Sequence, residues 1–299
     1  MFCDSLKYMR LLRGRKIADK ILADLKKAIQ KQKSKPALAV LLVGENKASR
    51  IYASLKQKAA QRNGIGFYLY EFSKNSSEKE IIGKIKELNG DKKISGIIVQ
   101  LPLPKKFSAQ GGSASGGKTQ KIINAISPEK DADGFSAQGG PAGGRHPQKN
   151  STSLQPVFPK AILKLIESSG QKIAGKRAIV VANSKKFGET MVAALKQKKI
   201  RANYILAKEI KNNLAKLKKA DMIITAVGKP DLITGDMVKK NVVIIDGGII
   251  KKGKKVLGDV DFESVKNKVS YITPVPGGVG PVTIACLLEN VYLLSKKSR

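Results

Sequence analysis

The fold of this chain is constrained most by short apolar runs that alternate with segments of helical pattern. One run is Leu38-Ala-Val-Leu-Leu-Val43, and residues 94–100 and 242–246 are interpreted as buried strands of the same kind. Apolar residues on both faces of a strand are typical of a parallel sheet covered by helices on both sides. Residues 14–34 carry apolar side chains at helical spacing. The alternation predicts an α/β fold with a parallel sheet.

The same pattern occurs in both halves of the chain. Helices are predicted at residues 14–34, 48–63, 77–89, 159–168 and 188–198, and strands at 38–43, 66–72, 94–100, 178–181, 202–206, 222–226, 242–246 and 269–273. The order in the second half is Rossmann-like. A length of 299 residues allows one large domain or two of ordinary size.

Composition excludes several classes of protein. No apolar run reaches the roughly 18 residues of a membrane span. Residues 1–12 lack the apolar region of a signal peptide, so we expect a cytoplasmic protein. Cys3 and Cys286 have no metal-type spacing and are expected to be free thiols, and no metal site is predicted. His146, the single histidine, is not expected to be catalytic.

The chain is strongly basic, with 57 Lys and Arg residues against 23 Asp and Glu and a net charge of +34. Such a charge raises the question of nucleic-acid binding. The lysines, however, are scattered as pairs and do not form one block with interleaved aromatic residues. We therefore expect a solvated basic surface without a specific nucleic-acid partner, one that speeds encounter with anionic small molecules.

Residues 105–155 differ in character from the rest. Phe107-Ser-Ala-Gln-Gly-Gly112 recurs word for word at Phe135–Gly140, and each copy leads into further small residues. Such sequence is typical of flexible, low-complexity segments. The two copies flank residues 118–133, which are predicted to form a helix followed by an acidic motif. They are interpreted as surface insertions, with a lid over a site as the alternative.

Three segments carry residues suited to chemistry. Tyr52 and Lys56 are four apart, so on a helix they share one face. Gln100 ends a buried strand, where α/β folds bind ligands. Asp131 and Asp133 lie in Pro128-Glu-Lys-Asp-Ala-Asp-Gly-Phe135. Each also has an ordinary structural interpretation, such as a surface lysine or a strand-capping glutamine.

A fourth segment is rich in proline and glycine. Thr273-Pro-Val-Pro-Gly-Gly-Val-Gly-Pro-Val-Thr283 contains three prolines and three glycines. Proline fixes φ and glycine admits unusual φ values, so the run predicts a stiff, sharply turned loop. It leaves backbone accessible to a ligand, and a final helix is predicted to follow at Thr283–Ser295.

Together, Val43–Lys56, Val99–Pro104, Pro128–Phe135 and Thr273–Thr283 resemble, in order, the bifunctional methylenetetrahydrofolate dehydrogenase/methenyltetrahydrofolate cyclohydrolase family. The resemblance implies two α/β domains with a cleft between them. Residues 1–155 with 280–299 are expected to form a folate-binding catalytic domain, with the Gly-rich insertions within 107–155. Residues 156–279 are expected to form a Rossmann-like NAD(P)-binding domain. It also implies a homodimer formed through the Rossmann-like domains.

The resemblance assigns roles at the folate site. Lys56 is the expected catalytic residue, and Gln100 holds it and tunes its proton affinity. Asp131 is expected to pair with the pterin ring, while Asp133 fixes the turn at Gly134. The expected substrate-binding residues, which include the wall formed by the Pro-Gly loop, are Ser49, Tyr52, Val99, Leu101, Pro276, Gly277 and Gly278.

The cofactor half departs from the family pattern. The family's Gly-Arg-Ser-x-x-Val-Gly-x-Pro loop is Ala182-Asn-Ser-Lys-Lys-Phe-Gly-Glu-Thr190 here, so Ser184 and Gly188 are kept and the arginine is lost. Lys185, Lys186 or Lys208 could contact the 2′-phosphate of NADP, whereas Glu209 suits a free ribose diol. NADP is expected and NAD stays open. The expected cofactor residues are Ala182, Asn183, Ser184, Gly188, Lys208, Ala226, Gly228, Ile249 and Thr283.

The resemblance implies oxidation of 5,10-methylenetetrahydrofolate to the methenyl form, followed by hydrolysis to 10-formyltetrahydrofolate. Two alternatives stay open at this point. Ala182 and Asn183 favour a cyclohydrolase with a degenerate dinucleotide site. The charge of +34 favours a non-catalytic basic binding protein on the same scaffold.

Overall fold

The computed structural model describes residues 9–107, 117–135, 154–253 and 255–297, and the predicted alternation of strands and helices is present in them. The helices are α1 (Gly14–Gln30), α2 (Lys47–Arg62), α3 (Glu78–Gly90), α4 (Gly117–Asn124), α5 (Val157–Glu167), α6 (Lys185–Gln197), α7 (Leu214–Lys219), α8 (Phe262–Val265) and α9 (Val279–Lys297). The strands are β1 (Arg10–Leu11), β2 (Ala37–Val43), β3 (Gly66–Phe72), β4 (Gly96–Val99), β5 (Arg177–Ala182), β6 (Arg201–Leu206), β7 (Met222–Thr225), β8 (Val242–Asp246), β9 (Ile250–Lys252), β10 (Lys255–Leu257) and β11 (Val269–Ile272).

The chain divides into two compact units. The six-stranded unit consists of Met1–Ile17 and Phe158–Thr283, and the three-stranded unit of Ala18–Val157 and Ile284–Arg299. This division differs from the predicted domain bounds because β1 pairs with β11, with Leu11 opposite Ile272. A two-residue strand whose partner lies about 260 residues away leaves no local pattern in the sequence.

The three-stranded unit has a parallel sheet in the order β3-β2-β4. Every residue of the central strand β2 is buried, as its unbroken apolar sequence predicts. Helix α3 covers the sheet with Ile81, Ile85 and Leu88, and its N-terminus has a capping box formed by Ser77 and Glu80. The parallel strands β2 and β4 end at the same edge, which is where Gln100 lies.

The six-stranded unit has the sheet order β1-β11-β8-β7-β5-β6, with parallel pairing throughout. Strand β5 has β6 on one side and β7 on the other, so the direction of winding reverses at β5. In open α/β sheets, ligands bind at such a switch point, beyond the carboxyl ends of the strands. Ala182 ends β5, and Thr225 and Asp246 end the next two strands.

The last helix begins earlier than predicted. Helix α9 starts at Val279 and includes Gly280 and Pro281, which had been assigned to the Pro-Gly loop. The first N–H groups of a helix have no partner within it, so a proline in the first turn costs no hydrogen bond. Cys286 is buried in this helix.

Some predictions lie outside the described residues. These are the Gly-rich insertions beyond Phe107 and Phe135, His146 and Cys3. Helix α4 and the acidic motif that follows it are described. Among the described helices, none is long and apolar enough to span a bilayer.

Candidate active site

Helix α2 carries the first two candidate residues. It begins after Asn46, whose side chain accepts a hydrogen bond from Ser49 N at 3.0 Å and so caps the helix. The cap is therefore Asn46, and Ser49 is buried with its Oγ 3.5 Å from Leu101 O. Tyr52 and Lys56 lie one turn apart on the helix, and both are partly buried. Burial raises the pKa of the Tyr52 hydroxyl.

Gln100 is fixed at the end of β4 and contacts Lys56. Its backbone N donates to Leu41 O at 2.8 Å, and its side-chain Nε2 donates to Leu101 O at 2.8 Å. Because Nε2 is engaged in this way, the carbonyl oxygen of the amide faces the lysine. Lys56 Nζ donates to Gln100 Oε1 at 2.9 Å. The contact joins residues that are 44 apart in sequence.

The two aspartates of the acidic motif have different surroundings. Asp131 is 2% exposed, forms a bridge to Ile97 and accepts from Gly134 N at 3.0 Å, so it is the residue that fixes the turn. Asp133 is partly exposed, and its charge interacts with that of Lys56. The turn contact predicted for Asp133 is therefore made by Asp131, and Asp133 is the aspartate whose charge interacts with that of Lys56. Two carboxylates two residues apart cannot be told apart by spacing, because tertiary contacts decide which one faces the lysine.

Burial dominates the electrostatics of this cluster. It lowers the pKa of the Lys56 ammonium below its ordinary value, although the Asp133 carboxylate opposes the shift. Burial likewise raises the pKa of Asp133 to about 6, against the attraction of Lys56 and with a further contribution from Asp131. Both shifts favour the neutral forms. A lysine with a lowered pKa is more often present as the neutral amine, the form that can accept a proton.

The remaining folate candidates fall into two groups. Val99 is buried and Leu101 partly buried, beside Gln100 in the three-stranded unit. Pro276, Gly277 and Gly278 lie in the six-stranded unit. There Gly277 has φ +102°, and its carbonyl accepts from Arg15 N at 3.2 Å. A Cβ on Gly278 would lie 2.6 Å from Pro274 O, so the turn requires glycine at that position.

The cofactor candidates begin at the end of β5. Ala182 is buried, and Asn183 donates through Nδ2 to Val227 O. Ser184 is the N-cap of α6 and accepts from Phe187 N at 3.3 Å, so the helix begins before the predicted Gly188. A Cβ on Gly188 would lie 2.6 Å from the Tyr204 ring, and glycine thus lets α6 pack closely on β6.

The other cofactor candidates are dispersed around the carboxyl edge. Ala226 and Gly228 follow β7, and Gly228 has φ +79° with open space where a Cβ would be. Lys208 is exposed after β6, and Ile249 is exposed before β9. Thr283 lies in α9, where its hydroxyl donates to Gly280 O at 2.7 Å.

These residues fit a dinucleotide. A strand, a short turn and the N-terminus of a 13-residue helix follow one another at the switch point, which is the arrangement that binds a pyrophosphate. The open space above Gly228 leaves room beside this turn. Lys185 is paired with Glu189 at 3.7 Å. Burial lowers the pKa of Lys186, and Lys208 is the more exposed cation for a ribose phosphate.

Known proteins match both units. The catalytic-domain model of tetrahydrofolate dehydrogenase/cyclohydrolase matches residues 12–133, and the NAD(P)-binding-domain model matches residues 156–299. "Bifunctional protein FolD" of Nitratiruptor sp. is 39% identical over 297 residues, covering 97% of this chain and 99% of the relative.

Solved structures of enzymes with the same two activities are similar to this chain. The Campylobacter jejuni FolD methylenetetrahydrofolate dehydrogenase/cyclohydrolase is similar with a TM-score of 0.84 and 35% identity, covering 97% of this chain and 99% of the other. A Trypanosoma brucei enzyme of the same name, complexed with NADP and an inhibitor, has a TM-score of 0.82 and 26% identity, covering 97% and 98%.

Proposed function

The chain belongs to the tetrahydrofolate dehydrogenase/cyclohydrolase family, and from this premise we propose that it catalyses two consecutive steps of one-carbon folate metabolism. The first is NAD(P)-dependent oxidation of 5,10-methylenetetrahydrofolate to 5,10-methenyltetrahydrofolate. The second is hydrolysis of that product to 10-formyltetrahydrofolate. The observation that carries the proposal is the contact of Lys56 with Gln100 beside the carboxylate of Asp133.

The lowered pKa of Lys56 suits the first step. When bound, the nicotinamide ring accepts a hydride from the methylene bridge. The folate product is a cation, which a charged ammonium beside it would destabilise. A neutral Lys56 removes this repulsion. Its hydrogen bond to Gln100 Oε1 keeps the amine in place. Because this oxygen carries no net charge, the contact does not require the lysine to be charged.

The same amine serves the second step. Water attacks the methenyl carbon, and the proton that it loses passes to neutral Lys56 as general base. The resulting carbinol opens at the bond to N5, which takes up the proton that Lys56 had accepted. The carbinol hydroxyl loses its remaining proton to solvent as the carbon–oxygen double bond forms, and the formyl group stays on N10. The proposal requires no metal for either step.

Recognition of the pterin is assigned to Asp133. A carboxylate suits the paired N–H donors of an amino-pyrimidinone edge, because it can accept two hydrogen bonds side by side. Asp131 is less suitable, since it is 2% exposed and already accepts from Gly134 N. Tyr52 and Leu101, both partly exposed, are proposed to provide apolar surface for the rest of the folate.

NADP is the proposed dinucleotide. The Ser184 turn and the N-terminus of α6 are suited to its pyrophosphate, and Lys208 to its 2′-phosphate. A comparison of NADP⁺ and NAD⁺ as oxidants, for the unchanged chain and for Lys208→Gln, tests this assignment. We expect a lower KM for NADP⁺ and selective loss of that preference in the variant. An equal preference in both proteins would contradict it.

Two assays on the purified chain test the proposed function. One follows NADPH formation from 5,10-methylenetetrahydrofolate, and the other follows loss of 5,10-methenyltetrahydrofolate without dinucleotide. We expect enzyme-dependent rates in both. Absence of both rates would overturn the proposal.

A cyclohydrolase that has lost the first step is the second candidate. Asn183 favours it, because its side chain is uncharged and its amide is engaged with Val227 O. Methenyl hydrolysis without NADPH or NADH formation would identify this case.

A homodimer through the six-stranded unit is the proposed assembly, and the cytoplasm is the proposed location. Sedimentation velocity over a dilution series tests the assembly. A single species of monomer mass at every concentration would contradict it.

A further inference from the structure

A buried carboxylate organises the loop that follows β7. Asp259 is fully buried, and its carboxylate accepts four hydrogen bonds from one short segment. The donors are Thr225 Oγ1 at 2.7 Å, Val227 N at 2.7 Å, Gly228 N at 2.8 Å and Lys229 N at 2.8 Å. Three consecutive backbone amides thus turn inward onto one side chain.

The backbone of Asp259 also binds the loop that follows β7. Its carbonyl accepts from Leu232 N at 2.7 Å and from Ile233 N at 3.1 Å. One residue therefore holds both ends of the segment between β7 and Ile233. Hydrogen bonds to a charged acceptor are stronger than those between neutral groups, so the loop is firmly placed.

A second aspartate braces Asp259. Asp246 ends β8 and accepts from Asp259 N at 3.1 Å, Val260 N at 3.0 Å and Gly248 N at 2.9 Å. A Cβ on Gly258 would lie 2.0 Å from Asp246 Oδ2, so this approach requires glycine. Burial, together with the nearby Asp259 carboxylate, raises the pKa of Asp246 to about 6.

Because the backbone N–H groups of residues 227–229 bind Asp259, they do not face a ligand of this loop. N–H groups that bind Asp259 are not available to the phosphates of a dinucleotide. The carbonyls of the loop remain, and Val227 O already accepts from Asn183 Nδ2. Carbonyls bind hydroxyl and carboxamide donors. The loop therefore suits the ribose and carboxamide of a nicotinamide nucleotide.

The sheet order places this loop on the nicotinamide side. In a Rossmann-like sheet the adenosine half binds over the second strand, here β6, and the pyrophosphate over the turn after the first, here β5. Strand β7 lies on the opposite side of β5 from β6. Its loop therefore faces the other half of the dinucleotide.

We propose that Asp259 is a positioning residue for the dinucleotide, acting through loop 226–229, whose carbonyls it turns toward the nicotinamide half. The inference rests on the proposed dehydrogenase function. Asp259 itself, being fully buried, touches neither cofactor nor substrate.

The test is Asp259→Asn, which keeps the size but removes the charge and turns an N–H₂ donor toward N–H donors. We expect the KM for NADP⁺ to rise at least about tenfold, while cyclohydrolase kcat/KM stays within about twofold. Binding of adenosine 2′,5′-bisphosphate, which lacks the nicotinamide half, should be unchanged. In the unliganded protein, amide hydrogen exchange in a peptide covering residues 226–229 should become faster.

Asp261→Asn is the matched control, because Asp261 lies two residues away and caps α8 by accepting from Ser264 N at 3.2 Å. It should leave both KM and loop exchange unchanged. If Asp259→Asn does not fold, Thr225→Val removes one donor at nearly constant volume. It should raise KM for NADP⁺ by a smaller factor, with cyclohydrolase activity kept.

Unchanged KM and unchanged exchange in Asp259→Asn would overturn the inference. Equal loss of both activities, with weaker binding of the bisphosphate, would also overturn it by showing a general structural role. If the unchanged protein neither binds nor reduces a dinucleotide, the proposed dehydrogenase function fails instead, whatever the variants do.

Discussion

At the scale of single residues, the proposed catalysis depends on the balance between burial and charge at Lys56. The amine contacts a neutral amide at 2.9 Å, and burial outweighs the attraction of Asp133 in setting its pKa. The same balance raises the pKa of Asp133 to about 6. Both groups therefore titrate nearer to neutral pH than their exposed counterparts, which two separate substitutions can examine.

Gln100→Glu places a carboxylate against the Lys56 ammonium. An opposite charge favours the charged lysine, so its pKa rises. The rate of methenyl hydrolysis should then require higher pH, and the acidic limb of the pH–kcat/KM profile should move to higher pH. Gln120→Glu, on the exposed face of α4, is the control. Coincident profiles for Gln100→Glu and the unchanged protein would contradict the assignment of Lys56 as base.

Asp133→Asn should stabilise the protein while reducing activity. The folded pKa of about 6 lies above the ordinary 3.8, so the native state loses stability as pH rises between these values. Asparagine does not ionise, so the variant does not lose stability in this way as pH rises. We expect the free energy of unfolding to rise by about 1 kcal/mol at pH 7, after allowance for partial exposure. The gain should disappear near pH 4. Denaturant titrations at both pH values measure it, and a gain of equal size at both would refute the cause.

The sequence places Lys56 and Gln100 in one site but does not identify the carboxylate beside them. Helical spacing indicates only that Tyr52 and Lys56 share a face, and a strand end indicates only that Gln100 can face a ligand; their catalytic roles are what the resemblance to the family implies. Asp131 and Asp133 stand two residues apart in one turn. Their roles follow from a bridge to Ile97, 34 residues away, which no local pattern contains. Asp259 is likewise fixed by partners about 30 residues distant.

At the scale of elements, long segments with clear periodicity are predictable and short ones are not. Strands β3 and β8 have the predicted bounds, and α2, α3 and α5 begin and end within about two residues of prediction. Strands β1, β9 and β10, which have two or three residues each, are not predicted from the sequence. Such strands are defined by pairing with a neighbouring strand, and they have too few residues to show an alternation of apolar and polar side chains.

The close packing of α6 on β6 at Gly188 predicts how a substitution there changes stability. Gly188→Ala places a Cβ 2.6 Å from the Tyr204 ring and should lower the free energy of unfolding by about 1–3 kcal/mol. Gly83→Ala, in α3 with nothing within 4 Å of the new Cβ, should instead raise it by about 0.5–1 kcal/mol. Denaturant unfolding of both variants measures the difference. Equal stabilisation by both would contradict the packing described for Gly188.

At the scale of the whole molecule, a net charge of +34 opposes the compact state. Several of the ion pairs, such as Arg50–Glu71 and Lys198–Glu167, are exposed and contribute little. Salt screens the repulsion among the lysines, so Tm should rise as NaCl is added at constant pH. Thermal unfolding across a salt series measures this. A Tm that is flat or falls with salt would show that the charges are already compensated.

We propose that Lys56, held by Gln100, is the base of a folate cyclohydrolase. This role is tested by the enzyme-dependent loss of 5,10-methenyltetrahydrofolate, compared among the unchanged chain, Lys56→Met and Lys58→Met. Lys58 is exposed on the same helix and is the matched control. We predict fast loss for the unchanged chain and Lys58→Met, and no loss above the buffer rate for Lys56→Met. Full activity in Lys56→Met, or no activity in the unchanged chain, would contradict the account.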